Sequence, residues 1–197
     1  MNFWDQRYAE PDLAYGDQPN DFLRAVADHI PPGPVLCIAE GQGRNAVWLA
    51  QRGHAVTALD ASPVGMARAQ ELAQSRGVTL ETVVADLSTW EGPADRWSAV
   101  IATSAHLPPP VRARVHGLIP SWLRFGGVLI LEAYRPDQLR YGTGGPQDTQ
   151  MLYSAALLRQ DFAGMEFLHL QEIDREVIEG RYHNGMAAVV QCLARRI

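Results

Sequence analysis

The sequence predicts an α/β protein: a doubly wound, mostly parallel sheet that ends in an antiparallel hairpin. Three observations carry this. Short apolar runs alternate with amphipathic segments through the first five strands. The runs are continuous rather than alternating, as expected for parallel strands covered on both faces. The last two apolar runs flank a short, turn-rich segment that only an antiparallel connection can use.

Each element follows in order. Asn20 or Asp21 caps a helix whose apolar positions are Phe22, Leu23, Val26, Ala27 and Ile30, stopped by Pro31-Pro32-Gly33-Pro34. Val35 to Ala39 is the first strand, Arg44 to Arg52 a helix ending at Gly53, and Ala55 to Leu59 the second strand. Ser62 as N-cap, Pro63 at the first helical position and Gly77 past the end delimit a helix over 62–76. Leu80 to Ala85 and Ser98 to Thr103 are strands three and four. Val111 to Leu123 is a crossover helix interrupted or bent at Pro120, and Gly127 to Ala133 is the fifth strand. Thr149 to Phe162 reads as one helix. Phe167 to Ile173 and Ala187 to Leu193 form the closing pair, joined around Glu179 to Gly185.

Composition narrows the function. With 197 residues and 47% hydrophobic content the chain suits one domain with its own core, without an internal repeat or dividing linker. Residues 1–30 form an N-terminal segment and helix, and 34–197 the sheet core. All 17 basic residues are arginine. The lack of lysine excludes Schiff-base pyridoxal chemistry and an ordinary P-loop. A net charge of −5 makes nucleic acid a poor partner. Cys37 and Cys192 are expected to be buried thiols, with no metal site. No signal-peptide or membrane-helix pattern is visible, so a cytoplasmic protein without membrane contact is expected; the sequence leaves the oligomeric state open.

The chemistry gathers at predicted strand ends, where doubly wound sheets bind ligands. After the first strand stands Glu40-Gly41-Gln42-Gly43-Arg44-Asn45-Ala46, and Asp60 follows 19 residues past Gly41. That spacing suits a ribose, from NAD or from S-adenosylmethionine. A carboxylate at Glu40 would repel a pyrophosphate, whereas nearby acids favour a sulfonium and an ammonium. Asp86, with Leu87 beside it, ends the third strand and suits an adenine. Three acids on three successive strands therefore favour the adenosyl cation. Ala61 and Thr103, at neighbouring strand ends, join the expected cofactor set.

Glu40-Gly41-x-Gly43, Asp60 and Asp86-Leu87 resemble the cofactor motifs of class I S-adenosylmethionine-dependent methyltransferases. Trp4-Asp5-x-Arg7-Tyr8, Tyr15-Gly16-x-x-Pro19-Asn20-Asp21-Phe22-Leu23, His106-Leu107-Pro108 and Tyr141-x-Thr143-Gly144-Gly145-Pro146 resemble small bacterial members related to the tellurite-resistance and thiopurine types. The resemblance implies a Rossmann-like methyltransferase fold of seven strands in the order 3-2-1-4-5-7-6, the seventh antiparallel. It also implies S-adenosylmethionine as cofactor and a small-molecule acceptor, with a tilt toward a thiol or chalcogen. Where many members carry a third glycine or a second acid, this chain has Arg44-Asn45, placed to shape the site around the methionine carboxylate.

His106 after the fourth strand is the expected general base for any hydroxyl or amine acceptor. Tyr134, Arg135 and Tyr141, beyond the fifth strand, are the expected substrate contacts. Trp4, Tyr8 and above all Tyr15 are expected to fold over the cofactor as a lid. Tyr182 and His183 lie near the last turn without a second ligand at zinc spacing. Two rival functions remain: an NAD(P)-dependent oxidoreductase, and a non-catalytic adenosyl-ligand binder.

Overall fold

A computed structural model describes residues 3–197. The elements are α1 (Phe3–Tyr8), α2 (Asp21–Val26), β1 (Val35–Ile38), α3 (Arg44–Gln51), β2 (Val56–Asp60), α4 (Pro63–Ser75), β3 (Glu81–Val84), β4 (Trp97–Thr103), α5 (Pro109–Trp122), β5 (Leu123–Tyr134), α6 (Ala155–Asp161), β6 (Met165–Glu179) and β7 (His183–Arg196). They build one seven-stranded sheet in the order β3-β2-β1-β4-β5-β7-β6. Strands β1 to β5 are mutually parallel, and β7 runs antiparallel to both β5 and β6.

The continuous apolar runs have the expected cause. Every residue of β1 and β4 is buried. Leu36 and Ile38 enter the core under α5 and α6, while Val35 and Cys37 enter the one under α2, α3 and α4. Cys37 and Cys192 are both free and buried. Asn20 caps α2 by accepting from the Leu23 N–H at 3.0 Å, and Ser62 caps α4 by accepting from the Gly65 N–H at 3.0 Å.

Three elements differ from expectation. Pro109 and Pro110 lie in the first turn of α5, where no intrahelical N–H is required, so the helix starts there; it then continues past Pro120 to Trp122. The helix expected over 149–162 is divided. A 3-10 turn covers Thr149–Met151, and α6 begins only at Ala155, capped by Ser154. Between them the Tyr153 N–H donates to the Tyr134 carbonyl at 2.9 Å, drawing the backbone out of the helix toward the end of β5. The closing hairpin is far longer than its apolar runs, pairing as far as Glu179 with His183. Its outer half, rich in Asp, Arg and Glu, hid this extension. Among the described residues no helix is long and apolar enough to cross a membrane.

Candidate active site

The sheet order reverses between β1 and β4, and a large cleft opens there. It is a single cavity of about 700 Å³ at the carboxyl ends of β1 to β4, within the range of small-molecule sites. Both central strands leave through left-handed residues at its wall, Ala39 with φ 50° and Ser104 with φ 56°. Such backbone costs roughly 1–2 kcal/mol per non-glycine residue, and it turns the next residues across the strand ends.

Glu40, Asp60 and Asp86 all line this cavity, together with Ala61 and Leu87. Glu40 Oε1 accepts from the Asn45 and Ala46 N–H groups at 2.9 and 2.8 Å. It therefore fills the anion-binding N-terminus of α3 with the chain's own carboxylate. Among the described residues no hydrogen bond reaches Oε2. Burial pushes the Glu40 carboxyl up to about 7, against the opposing pull of those N–H donors and of Arg44. Asp60 Oδ2 accepts from the Gly41 N–H at 2.9 Å and Oδ1 from the Ser62 N–H at 2.8 Å. Burial raises its pKa too, while these bonds oppose the rise. Asp86 is exposed, and its bond from the Ser88 N–H at 2.7 Å lowers its pKa.

Gly41 and Gly43 do not line the cavity; they shape it. Gly41 has φ +62°, and a Cβ there would lie 2.6 Å from the Tyr8 hydroxyl. Gly43 has φ +88°, and its Cβ would meet Ala69 Cβ at 2.7 Å, so α3 and α4 pack at this contact only around glycine.

Arg44, Asn45 and Thr103 continue the wall toward the β6–β7 turn. The Asn45 amide donates to Thr103 Oγ1 at 2.8 Å, and Arg44 pairs with Glu179 Oε2 at 2.8 Å. Behind them lies a buried polar network. Asn20 Nδ2 donates to Glu132 at 2.7 Å and to Glu179 at 2.9 Å, while Arg175 and Gln191 also converge on Glu132.

The aromatic N-terminus covers the cavity mouth. Phe3, Trp4, Arg7, Tyr8 and Tyr15 all line it. Ser62 Oγ donates to Asp5 Oδ1 at 2.6 Å, fastening α1 to the start of α4. Gln42 Oε1 accepts from the Ala14 N–H at 2.8 Å and ties the following segment to the glycine turn. Arg7 stacks 3.5 Å over the Tyr182 ring and donates to the Tyr15 hydroxyl at 3.3 Å. The segment is thus clamped between α4 and the β6–β7 turn. Of the expected 1–30 segment, Met1 and Asn2 lie outside the described residues.

The side expected to face the acceptor departs most from the sequence reading. His106 lines the cavity, but both ring nitrogens are engaged: Nδ1 faces the Ser104 carbonyl at 3.1 Å, and Nε2 accepts from the Tyr134 N–H at 2.8 Å. Burial, with the nearby His183 charge, pushes its pKa down to about 3. A neutral ring without a spare lone pair is a poor proton acceptor, so the geometry corrects the expected general base. Tyr134 stacks behind it, ring centroids 5.4 Å apart, outside the main cavity wall. Arg135 turns away to Asp137 and Asp174, and Tyr141 donates to Asp174 at 2.9 Å, so neither lines the cavity. Both are held against Asp174 on β6, the edge strand of the sheet.

In their place stand Gly144 to Pro146, whose glycines could be plain turns or let backbone approach a substrate closely, and Met151, Tyr182 and His183, which the sequence reading left out of the site. The only signal for His183 was an ionisable side chain in a turn between the last two strands. Nothing local showed that this turn folds back over the switch point.

Residues 35–127 match a family model described as a methyltransferase domain. The chain is 32% identical over 111 residues to the 2-heptyl-1-hydroxyquinolin-4(1H)-one methyltransferase of Mycobacteroides abscessus. That match takes in 56% of this chain and 49% of the relative, so the chain spans about half the length of the curated relative it matches. A structure concerned with conversion of a disulfide bond into a thioacetal group during echinomycin biosynthesis superposes with a TM-score of 0.75 at 24% identity, over 91% of this chain and 83% of that one. TehB from Haemophilus influenzae superposes with a TM-score of 0.74 at 18% identity, over 99% of this chain and 66% of that one. At these identities the likeness shows the fold.

Proposed function

We propose that this chain is a class I S-adenosylmethionine-dependent methyltransferase, a reading its methyltransferase-domain match and sheet order support, and that it moves the cofactor's methyl group onto a small, largely apolar acceptor. The observation that carries the reading is the continuity of one cavity. It runs from three strand-end carboxylates to a wall of Leu107, Pro108, Val111, Pro146 and Met151, under an aromatic cover.

The donor set fits the cofactor. Asp60 keeps a lone pair on each oxygen for ribose hydroxyls, and Asp86 with the Leu87 backbone suits the adenine. Glu40 presents an unbonded carboxylate oxygen to a cationic ligand. The same geometry argues against NAD(P): the helix N-terminus that would cradle a pyrophosphate is already taken by Glu40. When bound, S-adenosylmethionine supplies a methyl group on a sulfonium, ready for in-line displacement. The protein's share is alignment and exclusion of water. Arg7, Tyr8 and Tyr15 close the mouth, Asn45 and Thr103 fix the floor, and the apolar wall orients the acceptor.

The relative's name supports an aromatic hydroxyl-bearing heterocycle as the kind of acceptor. A thiol or chalcogen, toward which the sequence resemblance tilts, is not singled out by any group in the cavity. The test is turnover with S-adenosylmethionine across phenols, N-hydroxy heterocycles, amines and thiols, beside calorimetry with S-adenosylhomocysteine. Methylation of an apolar acceptor is expected. Tight binding without any turnover would instead make the protein a non-catalytic adenosyl-ligand binder.

Glu40 also predicts a pH dependence. Its pKa of about 7 means the attractive carboxylate is present above that pH and is lost as pH falls below it. Affinity for S-adenosylhomocysteine should therefore rise with pH between about 5.5 and 7.5, below the ordinary range of the ligand's own amino group at about 8. Glu40→Gln should weaken binding at pH 7.5 and flatten the slope. Equal slopes in both proteins would assign the dependence to another group.

A further inference from the structure

We infer that His183, held against Glu179, is the proton acceptor for a weakly acidic hydroxyl on the methyl acceptor. This rests on the methyltransferase reading and narrows it to a substrate class.

The geometry begins with an unpaired atom. His183 is buried and lines the acceptor side of the cavity, and its Nδ1 has no hydrogen-bond partner. That nitrogen lies 3.5 Å from Glu179 Oε2, a distance a small ring movement converts into a hydrogen bond. With Nδ1–H directed at the carboxylate, Nε2 is the nitrogen left for the cavity side, and its lone pair is free to take a proton. Glu179 suits the partner role. Burial alone would raise its pKa, but His183 and Arg44 hold it well below the usual carboxylate range. It stays anionic and favours the imidazolium that forms, as a carboxylate orients a catalytic histidine elsewhere.

The ring is held from several elements. Tyr15 packs against it with centroids 4.5 Å apart, and Tyr134 meets it edge-on at 5.2 Å. The ionisable groups facing it are Glu179 on β6, Arg44 on α3, Tyr15 from the N-terminal segment, Tyr134 on β5 and His106 after β4. Arg44 competes for the same Glu179 oxygen, at 2.8 Å. His106, its nitrogens spent on Ser104 and Tyr134, does not compete for the proton.

The balance of the step is simple. The acceptor's O–H proton passes to His183 Nε2. The electron pair left on oxygen forms the new bond to the methyl carbon, and the pair of the breaking carbon–sulfur bond remains on sulfur. The proton then leaves His183 for solvent. A thiol already ionised at neutral pH needs no such acceptor.

The test uses the whole chain, with His183→Ala and His183→Gln, on substituted phenols of graded acidity and on aliphatic and aromatic thiols. General-base help is typically worth ~10²–10⁴-fold. That loss in kcat/KM is expected for weakly acidic phenols, shrinking toward none for acidic phenols and thiols that arrive ionised. Added imidazole should partly restore His183→Ala. A readout independent of turnover is the absorbance of bound 4-nitrophenol in the presence of S-adenosylhomocysteine. Its ionisation should shift to lower pH in the wild type and less so in the variants. Should both variants fail to fold, the wild-type absorbance titration with histidine-selective NMR decides: no change at His183 as the phenol ionises overturns the inference. Equal losses on every acceptor, or none, overturn it too. Wild-type activity confined to thiols overturns it while leaving the methyltransferase reading standing. Binding of S-adenosylhomocysteine without turnover of any acceptor overturns both.

Discussion

Asp60→Ala is expected to lower affinity for S-adenosylhomocysteine by about 100-fold or more. In the proposed ribose role two charge-assisted hydrogen bonds would be lost, each worth ~1.5–3 kcal/mol. The carboxylate also has a structural duty that the ligand-free protein feels. Its oxygens take the Gly41 and Ser62 N–H groups at 2.9 and 2.8 Å. Alanine strands both, at ~1–3 kcal/mol each where they stay dry. A fall in melting temperature without ligand should therefore accompany the fall in affinity. Asp60→Asn separates the two effects, since one amide oxygen still accepts from the backbone while the charge is gone. Its melting temperature should lie nearer the wild type than its affinity does. Calorimetry showing wild-type affinity in a folded Asp60→Ala protein would remove Asp60 from the ribose site.

The strand-end half of this cavity, where the nucleotide is proposed to bind, was legible because its signals are local. A glycine turn, an acid at a fixed distance and a Ser-Pro helix start each act within a few residues of themselves. The fold was legible for a similar reason: parallel strands buried on both faces must be apolar throughout, as Val35–Ile38 and Val56–Asp60 nearly are. The half proposed for the acceptor was not legible, because long-range pairing builds it. His183 reaches the switch point only because β6 and β7 extend far past β5, through residues too polar to announce a strand. His106 stands where expected, yet the backbone on either side consumes its nitrogens, which position in the sequence cannot show. Arg135 and Tyr141 were misplaced by the same logic. Lying just after a strand's carboxyl end does not suffice for a site residue, because the direction of the following turn decides which side it faces.

The same long hairpin supports the second large effect. Glu132→Ala is expected to destabilise the fold by ~3–5 kcal/mol, the usual cost of breaking a buried pair from one side. Glu132, at the end of β5, is almost fully buried and accepts four hydrogen bonds. Arg175 Nη2 and Nε reach it at 2.6 and 3.1 Å, Asn20 at 2.7 Å and Gln191 at 2.7 Å. Removing the carboxylate leaves the Arg175 guanidinium with Glu179 at 3.6 Å and the half-exposed Asp21 at 3.2 Å. For a chain of this size the loss corresponds to roughly 6–20 °C in melting temperature. Glu132→Gln keeps the shape and an acceptor oxygen, so it should cost less. Because desolvating such a pair offsets much of its attraction, the double change Glu132→Leu with Arg175→Met should recover part of the lost stability. Glu179 shares Asn20 with this network and lines up Arg44 and His183. Disturbance at Glu132 should therefore reach the acceptor wall before it reaches the nucleotide acids. In the surviving folded fraction, acceptor KM should rise while affinity for S-adenosylhomocysteine changes little. Thermal melts and steady-state kinetics below the transition check both halves. A melting temperature within a degree or two of the wild type would show that water replaces the carboxylate, and that the network contributes little to holding the hairpin against β5.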